Sequence, residues 1–148
     1  MRWRALALVL LLWSAGGPVP AATDPMPSTT PDAHDVVAIR AVIQGQLDAF
    51  RADNAGQAFA YASPAIQSIF KNADTFLSMV RTGYQPVYRP REVEFRDLAD
   101  IDGRLTQRVL LVGPDGTVVV AHYFMQRQPD GSWLINGCVL KGSEDRSA

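Results

Sequence analysis

Residues 91–140 read REVEFRDLADIDGRLTQRVLLVGPDGTVVVAHYFMQRQPDGSWLINGCVL, and this stretch decides the fold. Its apolar residues alternate with polar ones at a period of two, the pattern of strands half-buried in a sheet. Four runs follow one another: Arg91 to Leu98, Leu105 to Val112, Thr117 to Arg127, and Trp133 to Leu140. Asp102-Gly103, Asp115-Gly116 and Asp130-Gly131 stand between them. Asp-Gly between apolar runs is a strong hairpin signal, because both residues accept the positive φ of a tight turn. Three such turns in series predict a four-stranded antiparallel meander.

Upstream the period changes to that of a helix. Asp32 is a good N-cap, and Asp35 follows in the first turn, where the helix dipole favours an acid. Val36, Ile39, Ile43, Leu47 and Phe50 form one apolar stripe. Gly45 interrupts it at a cost of about 1 kcal/mol relative to Ala and marks close packing. Asn54 can cap a second helix over 55–62. Ser63-Pro64 is an N-cap followed by Pro at the first helical position of a third, over 64–70. Asn72 caps a fourth over 73–82, with Gly83 as its stop. Helices first and strands afterwards imply an α+β domain with the helices on one face of the sheet.

The residues before the helices belong to targeting. Arg2 and Arg4 precede the apolar run Ala5 to Trp13, and small residues and turn formers lead to Val19-Pro20-Ala21. This is the pattern of a secretory signal cleaved after Ala21, and the run is too short for the roughly 20 residues of a spanning helix. Residues 22–31, with three prolines and no apolar period, read as a disordered tether, and 142–148 as a frayed tail. The single α+β domain is residues 32–141, and its place of work is the periplasm or the exterior.

Composition narrows the partners. The formal net charge is −1, and the export segment takes two arginines and no acid with it, leaving −3. A mildly acidic chain argues against nucleic acid, which selects a basic face. No later segment is apolar for long enough to span a membrane. Cys138 is the only cysteine, so no internal disulfide forms and the fold rests on its core. His34 and His122 are the only histidines, and their positions suggest no shared metal site. Asp97, Asp100 and Asp102 before Gly103 resemble a calcium loop only in fragment, without its spacing or closing Glu. There is no nucleophile elbow and no phosphate-cradling glycine loop. No cofactor is implied.

Taking each Asp-Gly as a two-residue turn sets a register. It places Asp97, Arg108, Tyr123 and Cys138 in one row, with Phe95, Leu110, Ala121 and Leu140 beside it. Ala99, Thr106, Met125 and Asn136 lie on the other side of that row. The opposite face then carries Val109, Leu111, Val120, His122, Phe124, Trp133 and Ile135. With the first face under the helices, Asp97, Arg108, Tyr123, Asn136 and Cys138 converge in a mostly apolar cavity, which is what a ligand site looks like. The bland alternative is a cross-strand ion pair beside a buried tyrosine. The junction from Arg81 to Arg91, with Tyr84 and Tyr88 among arginines and prolines, is either a rim for an anionic ligand or a rigid connector.

Three stretches carry a resemblance: Ile39-Arg-Ala-Val-Ile-x-x-Gln46-Leu-Asp-Ala-Phe50, Phe76-Leu-x-Met-Val-Arg-Thr-Gly-Tyr84-x-Pro-Val-Tyr-Arg-Pro90, and Asp130-Gly-Ser-Trp-x-Ile-Asn-Gly-Cys138. With them the chain resembles a bacterial family known only as domain of unknown function 4864, over roughly residues 35–140. Its element order is similar to the nuclear transport factor 2-like superfamily, a cone of helices against a curved sheet. The resemblance implies no activity. By fold analogy with cavity isomerases and dehydratases of that superfamily, Tyr123 and Asp97 are the nearest counterparts of a tyrosine and an acid. Arg108 beside Asp97 would lower its pKa and make it a poor base. The expected function is therefore an exported non-catalytic domain that binds a small ligand or a protein partner. The alternatives are an isomerase- or lyase-like enzyme using Tyr123 and Asp97, and a homodimer assembly module using the second sheet face.

Overall fold

The computed structural model describes residues 30–142. The expected signal sequence, most of the expected tether and nearly all of the expected tail lie outside the described residues. Helix α1 spans Ala33–Arg51, and Asp32 and Asp35 close a reciprocal capping box at its start. Helices α2 (Ala55–Ala60), α3 (Pro64–Phe70) and α4 (Ala73–Gly83) follow, capped by the side chains of Asn54, Ser63 and Asn72. Gly83 does not stop α4. It lies within the helix, and the chain turns at Tyr84 into a four-residue helix, α5 (Gln85–Tyr88), so no left-handed stop is needed. Strands β1 (Glu92–Ile101), β2 (Arg104–Val112), β3 (Val118–Arg127) and β4 (Trp133–Gly142) pair in that order, all antiparallel. The fold is α+β, and no described helix is long and apolar enough to cross a membrane.

Ile39, Ile43, Leu47 and Phe50 of α1 are completely or almost completely buried. Each such side chain contributes about 1.5–3 kcal/mol when taken out of water. They pack with Val109, Leu111, Ala121 and Tyr123 from the covered face of the sheet. Asp35, itself buried, also accepts from the Trp133 indole Nε1 (3.2 Å) and from Arg127 (3.4 Å), which ties the start of α1 to the start of β4.

The register corrects the expected rows. At the first hairpin, Asp102 (φ 53°) and Gly103 (φ 78°) form the expected two-residue turn, with Ile101 opposite Arg104. The second loop has three residues, Pro114-Asp115-Gly116. Gly113 donates to Thr117 O (2.8 Å) and only Gly116 takes a positive φ (84°). Pro114 and Pro129 are the reason. Proline suits the second position of a type I turn, and the glycine after it makes the left-handed residue of a three-residue loop. One extra residue shifts β2 against β3 by one and turns β2 over. Val109 and Leu111, expected outside, are core; Arg108 and Leu110, expected inside, face away.

Two bulges then restore part of the pattern. In β1 the pairing jumps between Phe95 and Leu98, which keeps Val93 and Phe95 on the Tyr123 side while Asp97 follows Arg108 to the other. The third loop, Pro129-Asp130-Gly131, shifts β4 by one, and the extra residue Asn136 shifts it back. Tyr123 therefore does lie opposite Cys138, and Ala121 opposite Leu140, as expected. Trp133 and Ile135, beyond the bulge, point into the core rather than outward.

Candidate functional site

The covered face does not fill completely against the helices. A cavity of about 200 Å³ remains between the sheet and α1, α3, α4 and α5. Gln46 and Phe50 of α1 and Ile66 and Phe70 of α3 form part of its wall. Phe76, Met79 and Val80 of α4, with Tyr84 and Val87 just after it, form the next part. Tyr123, Ile135, Gly137 and Cys138 close it on the sheet side. Phe76 anchors this wall, with the rings of Phe50, Phe59 and Phe70 at 5.9, 5.4 and 5.4 Å between centroids.

Local sequence explains how the opening is kept. The connection from α2 to α3 docks on the free edge of β4: Ser63 N–H donates to Ile135 O (2.8 Å), and Ile135 N–H to Tyr61 O (2.9 Å). The Ser63 hydroxyl donates to the Asn136 side chain (2.7 Å) while capping α3. The bulge at Asn136 thus holds α3 to the strand, and the strand turns back to present Cys138 to the cavity.

Tyr123 is completely buried, and its hydroxyl has no hydrogen-bond partner among the described residues. Burial, and then the adjacent Cys138 thiol, push its phenol well above the ordinary value; sulfur is a weak acceptor, so the hydroxyl still lacks a strong one. The thiol of Cys138, its cross-strand neighbour, is likewise enclosed; burial pushes it up to about 12. Cys138 as a residue retains some exposure, since its strand lies at the sheet edge. The Tyr84 hydroxyl donates to Cys138 O across 3.4 Å, a long bond. Gln46, buried in the apolar stripe of α1, donates to Ala58 O (3.1 Å).

The other sequence candidates lie elsewhere. Asp97 and Arg108 do pair, through a two-pronged bond with Nε to Oδ1 at 2.8 Å, but on the uncovered face beside His122. The Arg108 bond holds the Asp97 carboxyl below its usual value. Partial burial, then Lys141 and Arg108, lower the His122 imidazole. Tyr123 and Asp97 thus share no cavity, because the three-residue loop put them on opposite faces. Asn136 is an exposed clamp residue next to the cavity, not part of its wall. Tyr88 lies at the surface, where Arg89 stacks 4.0 Å over its ring and its hydroxyl donates to Asp53. Arg89 also pairs with Asp53 (3.0 Å) and donates to Phe50 O, so this cluster ties the end of α1 to the helix-to-sheet junction. The carboxylates of Asp32 and Asp35 lie near His34, within 4.8 Å, but both are taken by the helix cap.

Gln46 is the cavity residue that the sequence reading passed over. Its signal was present: a glutamine three residues after Ile43 and four before Phe50 stands on the apolar stripe. The aromatic and aliphatic wall from α3 and α4 carries no such mark, since core residues look the same.

The family model described as Domain of unknown function (DUF4864) matches residues 32–148. The chain belongs to this family. No curated protein and no solved structure matches it. The described part of this DUF4864 domain therefore speaks for itself: an uncharged apolar cavity on one side of the sheet and a charged, half-open apolar face on the other.

Proposed function

We propose that this DUF4864 domain is an exported, non-catalytic binding domain that takes a small, mainly apolar ligand into the cavity between the helices and the sheet. The carrying observation is the cavity itself, with the fully buried Tyr123 among its lining residues. The space is about half open to solvent, and a mostly apolar recess with a few polar groups that the protein's own side chains leave unfilled is the usual form of a small-ligand site. Among the described residues the cavity wall holds no carboxylate, imidazole or amine to move a proton, which favours binding over an isomerase or lyase. The cone of the nuclear transport factor 2-like superfamily and work in the periplasm or outside the cell belong to this proposal. The test is titration of the protein with small hydrophobes, followed by heat and by amide NMR shifts, beside a cavity-filling Val80→Phe variant. Uptake by the wild type that the variant abolishes supports the reading; no uptake by the wild type refutes it.

A second reading, homodimer assembly, is favoured by the uncovered sheet face. Leu110, Val112, Val118, Val120 and Phe124 are only half-buried there, and Val139 is 44 % exposed. A second copy would cover this face and bury more apolar area than a monomer can. Sedimentation equilibrium tests it: a monomer at micromolar concentration sinks this reading and leaves the cavity reading untouched.

A further inference from the structure

The cavity is selective by what it lacks. Among the described residues, none of its lining side chains is Asp, Glu, His, Lys or Arg. Its polar side chains are Gln46, Tyr84, Tyr123 and Cys138. Tyr123 and Cys138 are held in their neutral forms by burial. The ion pair Asp97–Arg108 lies on the other face of the sheet. A charged ligand entering this space would give up its hydration and find no opposite charge, a loss nothing in the wall offsets.

Size adds a second constraint. At about 200 Å³ the space is roughly a third larger than an apolar cavity of about 150 Å³ that takes up benzene, and smaller than the roughly 300 Å³ at which drug-sized sites begin. It suits a single ring with up to about three substituent atoms, or an alkyl group of that bulk. A third constraint is polar. One of the two Gln46 amide N–H groups already donates to Ala58 O, and the Tyr84 hydroxyl donates to Cys138 O across 3.4 Å. The Tyr123 hydroxyl has no oxygen or nitrogen acceptor among the described residues, only the weakly accepting Cys138 thiol beside it, and leaving such a group without a strong partner is costly.

Resting on the ligand-site reading above, we propose that the cavity selects an uncharged, compact molecule of about one substituted ring whose hydrogen-bond acceptor is seated on the Tyr123 hydroxyl. This class includes small ketones, aldehydes, esters and amides, and excludes carboxylates and amines in their charged forms.

Three planar probes of equal heavy-atom count separate the terms: α-methylstyrene, acetophenone and benzoate. They are titrated into the wild type and Tyr123→Phe at neutral pH. Acetophenone is expected to bind the wild type at least about fivefold more tightly than α-methylstyrene, and benzoate not measurably. Tyr123→Phe should bring acetophenone down to the level of α-methylstyrene. Because the ranking is read on the wild type, it stands even if the variant folds poorly. The carbonyl 13C shift of bound labelled acetophenone, moved downfield by a hydrogen bond, gives a second wild-type reading. Equal affinity of the two neutral probes, an unmoved carbonyl shift, or benzoate binding as well as acetophenone overturns this inference and leaves the ligand site standing. Failure of all three probes overturns both.

Discussion

Replacing Tyr123 with Phe should make the ligand-free domain more stable, the reverse of the usual effect of deleting a buried hydroxyl. Most buried hydroxyls are hydrogen-bonded, and their loss costs about 1 kcal/mol. This one is completely buried and, among the described residues, has no partner stronger than the adjacent Cys138 thiol. The folded state therefore carries the desolvation penalty of the hydroxyl, about 1–3 kcal/mol, without return. Phe keeps the ring and its packing against the core. The net expectation is a gain of about 1 kcal/mol, or roughly 5 °C in Tm for a domain of this size. Urea unfolding by circular dichroism measures it, with an unchanged m-value showing that only the folded state was altered. A loss of about 0.5 kcal/mol or more would refute the reasoning. It would mean that the hydroxyl is paired, with the Cys138 thiol or an ordered water, and that it is not free for a ligand.

Three further perturbations probe other parts of the argument. Gly45→Ala would place a methyl group 2.5 Å from the Tyr61 hydroxyl oxygen and 2.6 Å from Cζ; the half-buried ring must move, and the repacking cost of about 1–3 kcal/mol should outweigh the helix-propensity gain of about 1 kcal/mol, read as a lower urea midpoint. The Cys138 thiol, pushed up to about 12 by burial, should react with a disulfide reagent at pH ~8 roughly a thousandfold more slowly than the unfolded chain, whose thiol titrates near 8.5. Since the folded value is the higher one, the corresponding stability is complete below about pH 8.5 and is lost as pH rises towards 12, so an alkaline denaturation series should be shallower in Cys138→Ser. Asp97→Ala should cost under about 1 kcal/mol, because the pair is surface-exposed at 51 % for Asp97 and 40 % for Arg108, and it should leave probe binding unchanged; altered binding would contradict the placement of this pair away from the cavity.

The helices were legible because their ends are written in short-range chemistry. Asp32, Asn54, Ser63 and Asn72 cap where expected, since a cap needs only its own side chain and the next three residues. The strands were legible for the same reason. Their faces were not, because a face depends on the parity of every loop and bulge between two strands. The readable clue was Pro114 and Pro129, absent from the first hairpin, which mark three-residue loops. The bulges at β1 and at Asn136 left no comparable local mark. Between β3 and β4 the expected pairs Tyr123 with Cys138 and Ala121 with Leu140 came from two shifts that cancelled, and Ala99 lies opposite Thr106 because the first hairpin has the expected two-residue turn.

By itself, then, the sequence determined the order and kind of the elements, the absence of an internal disulfide and the mild acidity. These follow from local propensity, capping and composition, which act within a few residues or need no geometry. Only the tertiary structure decided which side of the sheet each residue serves. That is why it separated Asp97 and Arg108 from Tyr123, brought Gln46 and Tyr84 to Cys138, and left a neutral cavity where a charged site had been expected. Such a cavity is the space that side chains distant in sequence do not fill, and no single stretch of chain encodes it.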